Sequence, residues 1–236
     1  GNAYTISQTE NNDFHSWGSG AAVYKFKRVF MDDCVFKTNG FLHIISNTKV
    51  RSGKASALFL KNAPITACNT SFIGNFFILG YGDDTGCVEL NGACGGSLFK
   101  NCAWIGNRGL RATNSYYNRE NGSNFRFQSA VALFLSSASD TVDFENCTIA
   151  YNLMGSQKGA AGLIVNAGTA NVKNSIIYGN VIFKGAMSWI EDPDVAITGA
   201  NGILNLTNTL TTKYAEGILS IKGDPSFVTS LSEFYD

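Results

Sequence analysis

Asn101–Asn107 reads N-C-A-W-I-G-N, and the same seven-residue pattern returns four more times along the chain. It reads D-C-V-F-K-T-N at Asp33–Asn39, N-T-S-F-I-G-N at Asn69–Asn75, N-C-T-I-A-Y-N at Asn146–Asn152 and N-S-I-I-Y-G-N at Asn174–Asn180. The starts lie 36, 32, 45 and 28 residues apart, and a weaker copy begins at Asn208. Recurrence at such intervals is the signature of stacked repeats, because one unit alone cannot bury its apolar face.

Each unit carries two runs with period two, the spacing of a half-buried strand. Ahead of the motif the apolar or small residues are Ile65 and Ala67, Ser97 and Phe99, Val142 and Phe144, Ala170 and Val172. Inside it they are Thr70 and Phe72, Cys102 and Trp104, Cys147 and Ile149, Ser175 and Ile177. Between the runs the phase slips by one residue, at Lys100-Asn101, Glu145-Asn146 and Lys173-Asn174. Such a slip would turn a straight strand inside out. A bend lets both halves face one core, with the polar pair outside. A second turn is expected at the closing Asn, and a third strand upstream, as at Ala57–Leu60, Cys87–Leu90 and Ala132–Leu135. The expected fold is therefore all-β: a single-stranded parallel β-helix, a three-sided solenoid of five to six coils. Parallel crossover connections are right-handed almost without exception, so the right-handed form is expected. One domain is expected over residues 1–236, with the repeat core at about 18–215 and a segment 216–236 after it, as part of a longer protein.

Composition agrees. Charged residues make up 15% of the chain, too few for the surface of a helical bundle, and 25 glycines supply turns. The 18 basic and 18 acidic residues form no basic stripe, so nothing points to nucleic acid. No apolar run approaches the ~18 residues of a membrane-spanning helix. The six cysteines form no C-x-x-C pair. Cys34, Cys102 and Cys147 share a motif position with Thr70 and Ser175, which reads as an inward column wanting a small residue. Buried free thiols are expected there, since stacked parallel Cβ vectors give poor bridge geometry. Cys87 and Cys94, flanking Asn91-Gly92, are the best disulfide candidate.

The F-K-T-N, F-I-G-N and W-I-G-N endings at Phe36–Asn39, Phe72–Asn75 and Trp104–Asn107 resemble the F-x-x-N repeat of the polymorphic outer-membrane protein family. I-A-Y-N and I-Y-G-N at Ile149–Asn152 and Ile177–Asn180 are variants of it. The family's companion Gly-Gly-Ala-apolar segment is present only in degraded form, at Gly18–Val23 and Gly159–Ile164. The resemblance covers about residues 18–180, and G-D-P-S-F-V at Gly223–Val228 is similar to a stretch that follows the last coils of bacterial surface β-helix proteins. It implies a secreted or cell-surface β-helix with an adhesive role.

The sequence carries no complete catalytic signature of β-helix hydrolases or lyases. Asp32-Asp33 and Asp83-Asp84 are D-D pairs, but neither His15 nor His43 sits in a G-H-G. No cofactor is expected beyond a candidate Ca2+ at Asp83 and Asp84, whose hard carboxylate oxygens suit that ion. Solenoid insertions gather on one face, often the binding face. The excursion 108–128 is therefore a candidate contact region, with Arg108, Arg111, Tyr116, Tyr117 and Arg119 offering stacking and hydrogen bonds to a glycan or a host or neighbouring surface protein. A second excursion, 184–202, carries Trp189. Asn-x-Ser/Thr sequons begin at Asn69, Asn121, Asn146 and Asn205. The leading expectation is an extracellular adhesion or recognition protein. Its rivals are a polysaccharide-active enzyme and a stalk segment that stacks end to end.

Overall fold

The computed structural model describes residues 3–8, 16–17, 20–45, 53–79, 85–111, 128–155, 159–183, 189–190, 194–211 and 220–221. Among them the protein is all-β, with no helix. The main strands form three sheets in which neighbours run parallel, apart from one antiparallel pair. The expectation of parallel all-β architecture is met.

Each repeat contributes to every sheet, and neighbouring strands come from successive repeats. The first sheet takes the strand after each closing Asn, Gly40–Ile45, Phe76–Leu79, Arg108–Arg111, Leu153–Met154 and Val181–Phe183, with Ala3–Gln8 on its first edge. The second, ten-stranded sheet takes two consecutive strands per repeat, for example Leu58–Lys61 and Ile65–Cys68. In later repeats the two fuse into Leu163–Lys173 and Val195–Thr207. The third sheet takes the motif strands Val35–Lys37, Ser71–Ile73, Ala103–Ile105, Thr148–Ala150, Ile176–Tyr178 and Thr209–Thr211, with Ser220–Ile221 beyond. Thr209–Thr211 makes the weak copy at Asn208 a structural repeat. Period-two alternation anticipates three strands per repeat; the structure has four. The missed strand follows the closing Asn, where F-F-I-L, R-G-L-R and V-I-F share no alternation.

The phase slip is one residue in the left-handed conformation. Asp33, Asn69, Asn101, Asn146, Asn174 and Asn208 have φ between 49° and 53°. Asn and Asp tolerate this region best among residues with a Cβ. The flanking strands then both turn their alternate residues inward. Ala67, Phe72, Phe99, Trp104, Phe144, Val172 and Ile177 are all fully buried. Parallel register stacks like on like. Phe36 lies on Phe72 with ring centroids 5.1 Å apart, Phe72 on Trp104 at 5.2 Å, and Phe99 on Phe144 at 5.3 Å. Offset aromatic stacking adds to the burial of these large side chains.

The cysteine column has a chemical requirement that size alone did not reveal. Cys34, Thr70, Cys102, Cys147, Ser175 and Thr209 each donate a side-chain hydrogen bond to the carbonyl two residues earlier. That carbonyl also accepts a backbone N–H from the preceding repeat, as Lys100 does from Asn69 at 3.0 Å. The small donor occupies its second lone pair. All six cysteines are free, Cys87 and Cys94 included.

The closing Asn is not the turn residue. The residue before it takes the positive φ: Thr38, Gly74, Gly106, Tyr151 and Gly179, at 52°, 58°, 64°, 56° and 64°. The asparagine side chain points inward. Asn39, Asn75, Asn107, Asn152 and Asn180 form one buried row. Each Oδ1 from Asn75 onward accepts both the backbone N–H and the Nδ2 of the preceding asparagine, at 2.7–3.1 Å. The second Nδ2 hydrogen of Asn75, Asn107, Asn152 and Asn180 goes to the carbonyl of Phe36, Phe72, Trp104 and Ile149. Buried amides are tolerated because these polar atoms find partners.

Candidate functional site

Two of the bends in each repeat are nearly fixed in length, one at the left-handed Asn or Asp and one at the closing Asn. The connection from the first sheet to the second is not. It runs from Leu79 to Thr85, from Arg111 to Gln128, from Met154 to Leu163 and from Phe183 to Val195. Variation in repeat length is concentrated at this one corner. Its anchors are neighbours: Leu79 pairs with Arg111, and Thr85 pairs with Gln128. The segments 80–84 and 112–127 therefore leave and rejoin the sheets on adjacent rungs.

Of the residues singled out from sequence, Arg111 stands at this corner, and Arg108 at the other end of the same strand, beside Asn107. Arg108 and Arg111 open and close a strand, Arg108–Arg111, so the excursion expected from residue 108 begins only after residue 111. Arg108 is half-buried, and its backbone N–H donates to the Asn75 carbonyl at 2.8 Å. Trp189 lies in a short strand antiparallel to Val181–Phe183, opposite Phe183. It stands at the end of the first sheet, three strands beyond Arg108–Arg111. Tyr116, Tyr117, Arg119, Asp83 and Asp84 lie outside the described residues, as does the sequon at Asn121. The anchors of the connections that bear Asp83-Asp84 and Tyr116-Tyr117 stand on adjacent rungs.

The second sheet's outer face next to this corner is unusual. Phe59, Glu89, Ala132 and Ile164 are consecutive in one outward row through the register and each is 0% exposed, while the row's end members Ala22 and Ala196 are exposed and half-buried. Outward residues at the rims elsewhere are open, with Phe30 at 75% and Val35 at 66%. The face beside the corner is covered. Glu89 is the charged member of this row, and its Oε1 accepts from Asn91 Nδ2 at 3.1 Å. Burial, and after it the nearby Glu89 carboxylate, pushes the Tyr24 phenol up to about 12. Sequence reasoning passed over Glu89, because a Glu alternating with Val88 and Leu90 reads as an ordinary solvent-facing residue. Its signal was the column: the equivalent positions hold Phe, Ala and Ile.

Other described carboxylates belong to the scaffold. Asp33 forms a left-handed corner. Asp32 accepts from Asn69, Asp143 from Asn171, Asp140 from the Ser137 backbone and Asp194 from Asn180. Among the described residues no three His, Cys, Asp or Glu side chains gather as metal ligands. Of the sequons, Asn69, Asn146 and Asn205 are exposed, and the amide Nδ2 of each donates to a neighbouring column member, Asp32, Asn101 or Asn171. What the corner offers is a set of connections of variable length on a rigid stack, beside a covered face with a buried carboxylate. That arrangement suits recognition by shape and hydrogen bonding. Comparison of the chain with protein-family models, curated proteins and solved structures found no match.

Proposed function

We propose that this chain is a right-handed parallel β-helix acting outside the cell or at its surface, where it recognises a glycan or a surface protein through the loops of one corner. The observation that carries the reading is the concentration of length variation between the first and second sheets, while the bends at the left-handed Asn or Asp and at the closing Asn keep their form. A scaffold under no demand but stability has no reason to lengthen one corner alone, and loops held by rigid elements are where binding residues concentrate. The sequential contribution of each repeat to three sheets supports the β-helix. The F-x-x-N resemblance supports the adhesive, surface-exposed role. Arg111, Tyr116, Tyr117 and Arg119 supply the side-chain types that stack on and hydrogen-bond to sugars and peptides.

The test replaces residues 112–127 with the five-residue connection 80–84 of the preceding repeat. Wild-type and shortened protein are compared on a glycan array and on intact cells, with circular dichroism to verify the fold. Binding by the wild type that is lost in a folded, shortened variant is the expected result. Equal binding by both would overturn the assignment to this corner. Unsaturated product released from uronic-acid polymers would replace recognition with lyase activity.

A further inference from the structure

In each repeat the second sheet bends between its two strands, at the end of the first of them that lies away from the variable corner. On three successive rungs one residue of this bend takes the left-handed conformation: Lys25, Asn62 and Gly92, with φ of 57°, 51° and 80°. Asn and Gly tolerate this region, whereas a lysine in it is uncommon. A backbone outlier of this kind is held at a cost, and the inference runs from the outlier to a function. The contacts of Lys25 do not account for it. Its side chain is exposed and makes no hydrogen bond or ion pair with a described residue.

The bend that Lys25 opens also differs in length and charge. Four residues, Lys25-Phe26-Lys27-Arg28, stand between Ala21–Tyr24 and Val29–Asp32. On the next rung three residues, Asn62-Ala63-Pro64, make the same step without a charge. Lys61 adds a fourth cation, since it stands opposite Tyr24 in the register. Aromatic rings lie among these cations: Phe26 is 60% exposed and Tyr24 38%. The bend is at the surface on later rungs as well, where Ala93, Gly96 and Ser136–Ser139 are exposed. The outward direction of these side chains is therefore a property of the bend, whatever stacks along the strand Ala21–Tyr24.

Nothing described neutralises the cluster. None of the four cations forms an ion pair with a described residue. Asp32 is engaged by Asn69 Nδ2, and Glu89 is buried. Like charges on one bend repel one another, and a bound anion turns that repulsion into attraction. Arg28 is already held in place. Its Nη1 donates to Thr66 Oγ1 at 3.0 Å and to the Gly96 carbonyl at 3.1 Å, across the second and third rungs. Nε and Nη2 are left as a fork that matches the paired oxygens of a carboxylate or sulfate.

We propose that the bend Lys25–Arg28, with Lys61 beside it, binds an acidic polysaccharide, its carboxylates or sulfates on the cations and its sugar rings against Phe26 and Tyr24. A nucleic-acid backbone is held by a basic stripe, whereas this patch spans about two rungs of a chain with 18 basic and 18 acidic residues. An acidic polysaccharide joins anions to rings whose C–H faces suit aromatic side chains. The site is separate from the variable corner and does not rest on the recognition proposed there.

Titration calorimetry of the full chain decides the matter with oligogalacturonate, dextran sulfate, uncharged dextran and a single-stranded DNA oligonucleotide. Binding of oligogalacturonate, dextran sulfate or both is expected, weakening as salt rises, and whichever binds identifies the anion. Lys25→Asn copies the residue of the next rung, so it removes a charge and relaxes the backbone. It is expected to melt no lower than wild type and to bind about threefold more weakly, the effect of one exposed ion pair. Lys27→Gln gives the same reading if Lys25→Asn does not fold. Lys25→Asn, Lys27→Gln and Lys61→Gln combined should weaken binding more than about tenfold. The protein with residues 112–127 shortened should keep wild-type affinity. A wild type that binds neither acidic polymer overturns the proposal, as do folded charge variants that bind like wild type. Loss of binding in the shortened protein, or uncharged dextran or DNA bound as tightly as the acidic polymers, overturns it too.

Discussion

Asp194 Oδ1 accepts both the backbone N–H of Asn180, at 3.1 Å, and its Nδ2, at 2.8 Å, and so continues the buried asparagine row with a carboxylate. Every amide in the row presents its oxygen to the preceding repeat and its N–H to the following one. The aligned dipoles therefore place their positive end at Asp194, which is 3% exposed. A buried acceptor at the donor end of an aligned row is favoured for the reason that anions are favoured at helix N-termini. Asp194→Asn keeps an acceptor and is expected to cost about 1 kcal/mol, the difference between a charge-assisted and a neutral bond. Asp194→Ala strands two donors and is expected to cost about 2–4 kcal/mol. Urea denaturation of the two variants checks the order, and equal losses would deny the carboxylate this role.

The interior of the row is expected to matter more than its start. Asn107→Ala removes the acceptor of Asn75 N–H and Nδ2 and the donor to the Phe72 carbonyl, all buried. At about 1–3 kcal/mol for each orphaned group, a loss of at least about 3 kcal/mol follows. Asn39→Ala removes one donor and leaves Asn75 Oδ1 its bond to the Asn39 backbone. About 1 kcal/mol is expected there. The same denaturation series reads both, and similar losses for the two variants would deny the interior of the row its larger contribution.

The column of small donors predicts which cysteine substitutions are silent. Cys102 donates to the Lys100 carbonyl as Ser175 does to Lys173. Cys102→Ser should change stability by less than about 1 kcal/mol, whereas Cys102→Ala loses the bond and costs about 1 kcal/mol. The thiols should also differ in reactivity. The neighbouring Cys102 thiol, together with burial, pushes Cys147 up, and the thiolate is the reactive form. Native-state alkylation at pH 8 should label the half-buried Cys34 and Cys68 and spare Cys87 and Cys147. Mass spectrometry of the labelled peptides reads the pattern directly.

What sequence disclosed and what it hid differ by the kind of contact. The Phe72–Trp104 stack was legible because a parallel register puts identical motif positions together, and period two says which of them turn inward. The corner at Asn101 was legible because the phase slip must be absorbed somewhere and Asn tolerates the left-handed region. The strand Phe76–Leu79 was hidden, since residues after the closing Asn vary in length and polarity from repeat to repeat. The interior place of Asn107 was hidden too: an Asn after Gly reads as a turn residue, and only the partners in neighbouring repeats make it a core residue. Glu89 was the hardest, because its burial depends on what covers the outer face and not on its own strand. At the candidate corner the sequence located the excursions, but that their anchors stand on adjacent rungs required the register of Leu79 with Arg111.

Left-handed positions give a prediction about backbone alone. Asn101, with φ 53°, has an exposed side chain. Asn101→Gly should be tolerated to within about 1 kcal/mol, while Asn101→Val forces a β-branched residue into the region and should cost about 1–2 kcal/mol. Gly179 is more demanding. Its φ is 64°, and a Cβ there would lie 2.9 Å from two ring carbons of Tyr151. Gly179→Ala is expected to cost more than Asn101→Val, since it adds displacement of a packed ring to the same backbone strain. Thermal melts followed by circular dichroism rank the three, and a Gly179→Ala protein as stable as wild type would show that the ring moves freely.

Cys87 ties stability to pH on the alkaline side. Its thiol is fully buried, and burial pushes it from 9.0 up to about 12, although hydrogen bonds to Ser56 and Asn75 oppose the rise. The folded state therefore keeps a proton that the unfolded chain releases. The sign follows from linkage: the contribution is complete below pH 9 and is lost as pH rises from there toward about 12. Within that window the group alone lowers stability by about 1.4 kcal/mol per pH unit. Cys87→Ala cannot titrate, so its urea midpoint should fall less steeply with pH than that of wild type, even if the variant is less stable at neutral pH. Parallel slopes for the two proteins between pH 9 and pH 11 would assign the alkaline sensitivity to other groups, Tyr24 foremost, whose phenol is also raised to about 12.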